Sequence, residues 1–147
     1  MTPEQIFSVA NLVAMAAWVA LVILPGRRWV TEVFTSTAVP LLFAIAYALI
    51  VATTFGRTPG GFSSLAAVAT LFSNPWVLLA GWIHYLAFDL LIGTWEVRDA
   101  RERGVPHLLL VPCLILTFLF GPAGWLLYRG VRLTRSSQMV QSRSSMA

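Results

Sequence analysis

Four long apolar runs constrain the fold of this chain more than any other feature of its sequence. They cover residues 6–24, 39–55, 76–95 and 108–128. Each is long enough for a transmembrane helix, which needs roughly 17–25 residues to cross a hydrocarbon core about 30 Å thick. The chain is also 58% hydrophobic and 11% charged, whereas soluble domains have about 45–50% and about 25%. We therefore predict an all-α integral membrane protein, a bundle of about four transmembrane helices surrounded by the lipid bilayer.

The stretch between the second and third runs is too short to cross a membrane. It opens with the turn-forming residues 58–61, and its apolar part covers only residues 62–72. We predict a short interfacial or re-entrant helix here, with a plain loop as the alternative. Residues 1–133 would form a single transmembrane domain, and the Ser-rich residues 134–147 a disordered polar tail.

The basic residues are all arginines, ten in number, and the net charge is +4. They lie between the apolar runs, where arginine anchors and orients helices, so we expect no nucleic-acid partner. Four spans would place five on each side: Arg27, Arg28, Arg98, Arg101 and Arg103 against Arg57, Arg129, Arg132, Arg135 and Arg143. The positive-inside rule then gives a tie, with a slight lean towards a cytoplasmic first set because Arg143 is far from any span. The exclusive use of arginine suggests a GC-rich genome, so we expect a multi-pass protein of the bacterial inner membrane.

Small residues recur at helical spacing in the first two runs. Such stripes let helices approach closely in lipid, so we predict two packing faces: Ala10, Ala14 and Ala17 in the first run, and Ala44, Ala48 and Ala52 in the second. The single cysteine, Cys113, lies inside an apolar run and is expected to be a small buried hydrophobe. One cysteine allows neither an intrachain disulfide nor a thiolate metal cluster.

The third run contains two polar side chains well inside a membrane span. An aspartate at a helix centre costs about 2.5–3.5 kcal/mol on insertion scales, and such residues face the bundle interior. Asp89 shares one helical stripe with four other residues, namely Trp82, Tyr85, Gly93 and Glu96. His84 lies about 140° away around the helix, so the two cannot form a dyad within it. Each is either functional or a structural bond to a neighbouring helix.

Charged residues continue beyond the end of this run. Glu96 and Asp99 share a face and, with Asp89, could form a column of carboxylates from the membrane to the surface. Asp99 and Arg103 are spaced for an ion pair at a solvated helix end. His107 stands close enough along the chain to join the cluster, or to lie at the interface instead. The spacing matches no strong metal motif, so we predict no metal and no cofactor.

Two prolines interrupt the fourth run. Pro112 and Pro122 each remove a backbone donor and free the carbonyl four residues earlier, on Leu108 and Phe118. Residues 121–124 (GPAG) predict a kink or an unwound turn. In membranes such breaks persist where protein or a cavity covers them, so this break is either a ligand site or a packing kink.

Two groups of motifs resemble a known membrane family. The first comprises residues 89–95 (DLLIGTW), 98–99 (RD) and 104–107 (GVPH), and the second residues 112–114 (PCL) and 120–128 (FGPAGWLLY). Together they are similar to the family that includes the plant abscisic-acid-deficiency protein required for neoxanthin formation. The resemblance covers roughly residues 82–132. It implies chemistry that turns a xanthophyll epoxide into an allenic alcohol, with an acid at the epoxide oxygen and a base at carbon.

The candidate site residues follow from these features taken together. The catalytic candidates are Asp89, His84, Glu96 and Asp99, and the substrate-binding candidates are Trp82, Tyr85, Gly93, His107 and Pro122. The first hypothesis is an enzyme, or an enzyme partner, acting on a carotenoid or another isoprenoid lipid between the third and fourth helices. The second is a non-catalytic accessory subunit of a membrane complex, and a weaker third is a proton- or ion-coupled transporter using Asp89. A homo-oligomer or another membrane protein is the expected protein partner.

Overall fold

The computed structural model describes the backbone of residues 1–54 and 56–144 and the side chains of residues 1–54 and 56–134. Within these ranges the structure is helical and contains no strand. The helices are α1 (Pro3–Ile23), α2 (Val39–Thr54), α3 (Leu65–Phe72), α4 (Pro75–Glu102), α5 (His107–Phe120) and α6 (Pro122–Ser144), and a π-helical stretch, Val30–Ala38, leads directly into α2.

Among the described residues, three helices are long and apolar enough to span a membrane: Pro3–Ile23, Val30–Thr54 and Pro75–Glu102. The prediction of an all-helical fold is therefore confirmed for the described residues, and the three candidate spans coincide with the first three apolar runs. Local sequence explains where two of them begin. Thr2 and Gln5 form a reciprocal capping box at the start of α1, and the Asn74 side chain caps α4 immediately before Pro75.

The second span begins earlier than expected because of the π-helical stretch. The Val39 amide donates to the Phe34 carbonyl, five residues back, which is the π-helical pattern. The Thr35 hydroxyl also donates five residues back, to the Val30 carbonyl at 2.9 Å. Proline has no amide hydrogen, so Pro40 cannot donate to the carbonyl of Thr35 in the same way.

The fourth apolar run does not form the single span that its length predicts. Helix α5 has 14 residues, about 21 Å, and it ends at Gly121, whose backbone lies beside Asp89 in the middle of α4. The chain then reverses, and α6 runs back towards the end of α4. The Tyr128 hydroxyl of α6 bonds to Asp99 near that end, at 2.7 Å. Helices α5 and α6 therefore form a hairpin, which we call the α5–α6 hairpin, with both of its open ends at one end of the bundle.

Gly121 and Pro122 explain this reversal. Gly121 has φ +46° and ψ −98°, a left-handed φ that glycine adopts readily, and Pro122 supplies no amide hydrogen but suits the first turn of a new helix. Pro112, by contrast, lies within a continuous α5. The close approach of α5 and α6 also requires Gly124, since a Cβ there would overlap the backbone nitrogen of Thr117.

The two alanine stripes have different outcomes. Ala10, Ala14 and Ala17 of α1 are at most 6% exposed and lie in the core, as predicted. Ala44, Ala48 and Ala52 of α2 are exposed, so this stripe is not buried against the rest of the described chain.

Two other segments bear on predictions that remain open. Helix α3 packs its Phe72 ring against Gly81 of α4 and has no buried residue of its own; its interfacial or re-entrant placement stays a prediction. The backbone of α6 continues to Ser144, past the domain boundary expected at residue 133. The predicted disorder of 134–147 stays a prediction, because the side chains of 135–144 are not described and residues 145–147 lie outside the described part of the chain.

Candidate functional site

Side chains of α4 hydrogen-bond two carbonyls that prolines leave without a helical donor. The Tyr85 hydroxyl donates to the Phe118 carbonyl at 2.9 Å, the group that Pro122 frees. The Thr94 hydroxyl lies 3.3 Å from the Thr35 carbonyl and 2.8 Å from that of Leu90. Because lipid offers no hydrogen bonds, a broken helix in a membrane needs such partners from within the protein. Helix α4 thus supports both irregular segments of the bundle.

Asp89 faces the tip of the α5–α6 hairpin. A Cβ built on Gly121 would lie 3.0 Å from Asp89 Oδ1 and 3.3 Å from Oδ2, so only a glycine leaves the carboxylate its present space. Oδ2 is buried and has no hydrogen-bond partner among the described residues. Buried polar atoms are almost always hydrogen-bonded, and an unpaired carboxylate oxygen is therefore available to accept a proton or a ligand hydrogen bond.

An aromatic groove of about 500 Å³ lies one helical turn from Asp89, between the starts of α1 and α4 and the end of α3. We call it the aromatic groove; its lining includes Phe7, Phe72, Leu78, Trp82 and Tyr85. Its ring centroids are closely spaced, with Phe7 and Trp82 at 5.6 Å and Trp82 and Tyr85 at 5.3 Å. The Trp82 indole donates to the Asn11 side chain at 3.1 Å, which fixes the ring against α1.

Glu96 and Asp99 bind the α5–α6 hairpin rather than facing the groove. Glu96 is fully buried, and both of its carboxylate oxygens accept from the Thr117 hydroxyl, at 3.0 and 3.1 Å. Asp99 accepts from Tyr128 and from Arg103, whose Nε lies 2.9 Å from Oδ1, and Arg132 Nε lies 3.6 Å from Oδ2. These two catalytic candidates therefore already have partners inside the protein.

The structure separates His84 from Asp89. His84 is exposed on another face of α4, where its ring stacks near Tyr47 of α2 at 5.8 Å and Phe88 at 4.6 Å. The separation predicted from helical geometry is therefore present.

Two substrate-binding candidates also lie away from the groove. Gly93 packs under the Trp18 ring of α1, and a Cβ there would overlap that ring. His107 is exposed at the first position of α5 and makes no hydrogen bond to Glu96 or Asp99 in the described chain. Of the nine candidate residues, Trp82 and Tyr85 line the groove. Asp89 lies one helical turn beyond Tyr85, and Pro122 stands beside Gly121 at the hairpin tip.

Several site residues were not predicted from the sequence. Phe7 and Phe72 line the groove, Asn11 accepts from the Trp82 indole, and Thr117 and Tyr128 bond to α4. The polar side chains of Asn11 and Thr117 inside apolar runs were signals that could have identified them. Phe7 and Phe72 have no such signal, because an aromatic residue in a membrane helix is ordinary. Among the described residues, no group of three His, Cys, Asp or Glu side chains is placed to hold a metal ion.

The comparisons with known proteins give one match. A family model described as ABA DEFICIENT 4-like matches residues 5–128. No curated protein and no solved structure matches the chain.

Proposed function

The chain belongs to the ABA DEFICIENT 4-like family, and we propose that it acts on an isoprenoid lipid of the carotenoid class in the aromatic groove. The observation that carries this proposal is the position of the groove. Its inner end is Tyr85, and one turn further along α4 the Asp89 carboxylate keeps a buried, unpaired oxygen. An apolar binding surface that ends at a few convergent polar groups is the usual arrangement of a small-molecule site.

The groove suits a long apolar ligand that arrives through the bilayer. Its volume of about 500 Å³ falls within the roughly 300–1,000 Å³ of ligand pockets. Trp82 is 38% exposed and Phe72 is 36% exposed, so their rings offer apolar surface to a molecule beside the protein. A ligand of carotenoid length would place one end ring in the groove and leave the rest of its chain in lipid.

The chemistry implied by the family is an isomerisation and consumes no oxidant or reductant. A base removes a proton from carbon, the C–H electrons form a new double bond, a C–O bond of the epoxide breaks, and the oxygen gains a proton. Asp89 is the candidate base because its carboxylate has an unpaired oxygen. Tyr85 is the candidate acid because it lines the inner end of the groove and its hydroxyl carries a proton, which it donates to the Phe118 carbonyl.

A deletion strain of the source organism tests this proposal. Its pigments and isoprenoid lipids would be separated and identified by mass after complementation with the wild-type chain or with a variant. We expect the wild type to restore the missing product, and Asp89→Asn and Tyr85→Phe to lower its amount at least tenfold at equal protein level. His84→Phe is the matched control, because it changes the same helix on a face away from the groove. An unchanged lipid and pigment profile in the deletion strain would overturn the proposal.

A non-catalytic accessory role is the second candidate, and the exposed face of α2 favours it. The stripe of Ala44, Ala48 and Ala52 is exposed, and small residues of this spacing commonly contact another membrane helix. This role predicts that Ala48→Leu abolishes complementation and that Asp89→Asn does not. The enzymatic role predicts the reverse.

A further inference from the structure

The α5–α6 hairpin changes the distribution of charge along the bundle. Because the chain reverses at Gly121, Arg129 and Arg132 return to the end of α4, where Arg132 approaches Asp99. The loop between α1 and the π-helical stretch also lies at this end, since Arg101 donates to the Pro25 carbonyl at 3.5 Å. Seven described arginines therefore gather at this end, which we call the arginine end: Arg27, Arg28, Arg98, Arg101, Arg103, Arg129 and Arg132.

The two ends of the bundle differ strongly in charge. Besides its seven arginines, the arginine end has the carboxylates of Glu32, Glu102 and the largely buried Asp99. Without Glu96, which is fully buried in the interior, the side chains of this end sum to 7 − 3 = +4. At the other end, Arg57 and Glu4 sum to zero. The equal distribution expected from four spans is thus replaced by an asymmetric one, because the fourth run returns instead of crossing.

Part of this charge lines a cleft of the size of a lipid headgroup. Arg28, Arg98 and Arg101 line a polar cavity of about 350 Å³ together with Glu32 and Glu102. Arg28 Nε lies 4.0 Å from Glu32, whereas Arg98 makes no hydrogen bond or ion pair within the described chain. Guanidinium groups bind phosphate oxygens through paired N–H donors.

Tryptophans mark the same end as a membrane boundary. Trp29, Trp95 and Trp125 are between 36% and 56% exposed, and Trp125 also stacks under the Arg129 guanidinium, 5.6 Å from its ring centroid. Exposed tryptophans concentrate at headgroup depth. The arginines therefore lie at the level where anionic phosphates are found.

We propose that the arginine end binds the phosphate headgroups of anionic phospholipids, with the cleft of Arg28, Arg98 and Arg101 as the principal seat, and that this end faces the cytoplasm. The occupant follows from charge complementarity, because juxtamembrane arginines attract anionic lipids of the cytoplasmic leaflet. The orientation follows from the positive-inside rule applied to seven arginines against one.

Lipid titration of the purified protein tests the binding. Native mass spectrometry would count bound dioleoyl phosphatidylglycerol and, in parallel, dioleoyl phosphatidylcholine. We expect preferential retention of phosphatidylglycerol, weakened roughly fivefold by Arg98→Gln and roughly a hundredfold by the Arg28→Gln/Arg98→Gln/Arg101→Gln variant, at about fivefold per arginine. Arg57→Gln, at the opposite end, is the matched control and should change nothing. Arg98→Gln removes no hydrogen bond or ion pair within the described chain, so it remains informative if the triple variant does not fold.

Three results would overturn the binding proposal. They are equal retention of the two lipids, equal weakening by Arg57→Gln, and complete displacement of phosphatidylglycerol by inorganic phosphate at matched concentration, which would identify a site for a soluble anion. The orientation has its own test: in intact spheroplasts an impermeant maleimide should label a cysteine at Gly61, where a side chain meets nothing within 4 Å, and not one at His107. The opposite labelling would overturn it.

Discussion

Helices α1 and α4 are both long and apolar enough to span a membrane, but they bury different chemistry. The buried positions of α1 are Ala10, Ala14, Ala17, Trp18 and Leu21, all of them apolar. Those of α4 include Thr94, Glu96 and Asp99, whose side chains bond to residues far away in the chain. The comparison teaches that α1 is specified by shape, because small residues permit close packing, whereas α4 is specified by hydrogen bonds to the π-helical stretch and the α5–α6 hairpin.

Helices α1 and α4 also pack against each other at Gly93. The Trp18 ring of α1 packs on Gly93 of α4 and lies 5.4 Å from the Phe118 ring of α5. Shape complementarity from α1 therefore supports the same hairpin that α4 binds through polar groups. The hairpin in turn brings Gly121 against Asp89, so the candidate site depends on both regions.

The largest loss of stability is expected from a substitution at Gly124, in the α5–α6 hairpin. A valine there would place its Cβ on the backbone of Thr117, which cannot shift as a flexible side chain can. We expect Gly124→Val to destabilise the fold by about 3 kcal/mol or more, at or above the upper end of overpacking effects. Size-exclusion profiles and melting curves in detergent measure this. Gly130→Ala is the control in the same helix, since a side chain there meets nothing within 4 Å.

The two alanine stripes allow a matched test of packing by shape. Ala14 is 1% exposed, whereas Ala48 is exposed. We expect Ala14→Leu to lower the melting stability by about 1–3 kcal/mol through overpacking, and Ala48→Leu to stay within about 0.5 kcal/mol. Equal losses for the two leucine variants of the isolated protein would show that the α2 stripe is also a packing face.

Substitutions at Thr117 and Glu96 test whether hydrogen bonds hold α4 against the α5–α6 hairpin. Thr117→Val keeps the shape of the side chain but removes the only donor that the described chain offers to the buried Glu96 carboxylate. We expect a loss of about 1–3 kcal/mol, the cost of a buried group without its partner. Adding Glu96→Leu should restore much of that loss, because replacing both partners by apolar groups is close to neutral. Additive losses in this double-mutant cycle would contradict the assignment.

Tyr85 should show the smallest effect on stability and a large effect on function. Tyr85→Phe removes the bond to the Phe118 carbonyl, and interhelical hydrogen bonds in membranes contribute on average about 0.6 kcal/mol and at most about 1.7 kcal/mol. We expect a loss in this range from melting curves, with Tyr47→Phe of α2 as a control that changes nothing measurable. A loss of product without a larger loss of stability would separate the site from the scaffold.

Much of the fold could be predicted from the sequence because lipid imposes simple rules. The three candidate spans follow from apolar length, and the buried Ala10–Ala14–Ala17 face follows from helical spacing. The carbonyl freed by Pro122 was also predicted, and Tyr85 is its partner. The separation of His84 from Asp89 needed only the 3.6-residue period.

The reversal at Gly121 could not be predicted in the same way. Length and hydropathy are the same for one kinked helix and for two short helices, and the choice depends on distant contacts such as Glu96–Thr117 and Asp99–Tyr128. The predicted equal number of arginines on the two sides of the membrane had the same cause, since that prediction assumed that residues 108–128 cross the membrane. The groove escaped prediction because Phe7 and Phe72 are remote from Trp82 in sequence.

The sidedness of three single cysteines tests the α5–α6 hairpin most directly. In a Cys113→Ala background, Gly61→Cys, His107→Cys and Thr134→Cys would each be exposed to an impermeant maleimide in sealed vesicles of known orientation. The structure predicts that cysteines at 107 and 134 react from the same side and a cysteine at 61 from the opposite side. If the cysteine at 134 is instead labelled from the same side as the cysteine at 61, residues 108–128 cross the membrane as one span. The hairpin, its contact with Asp89 and the arginine end are then all contradicted.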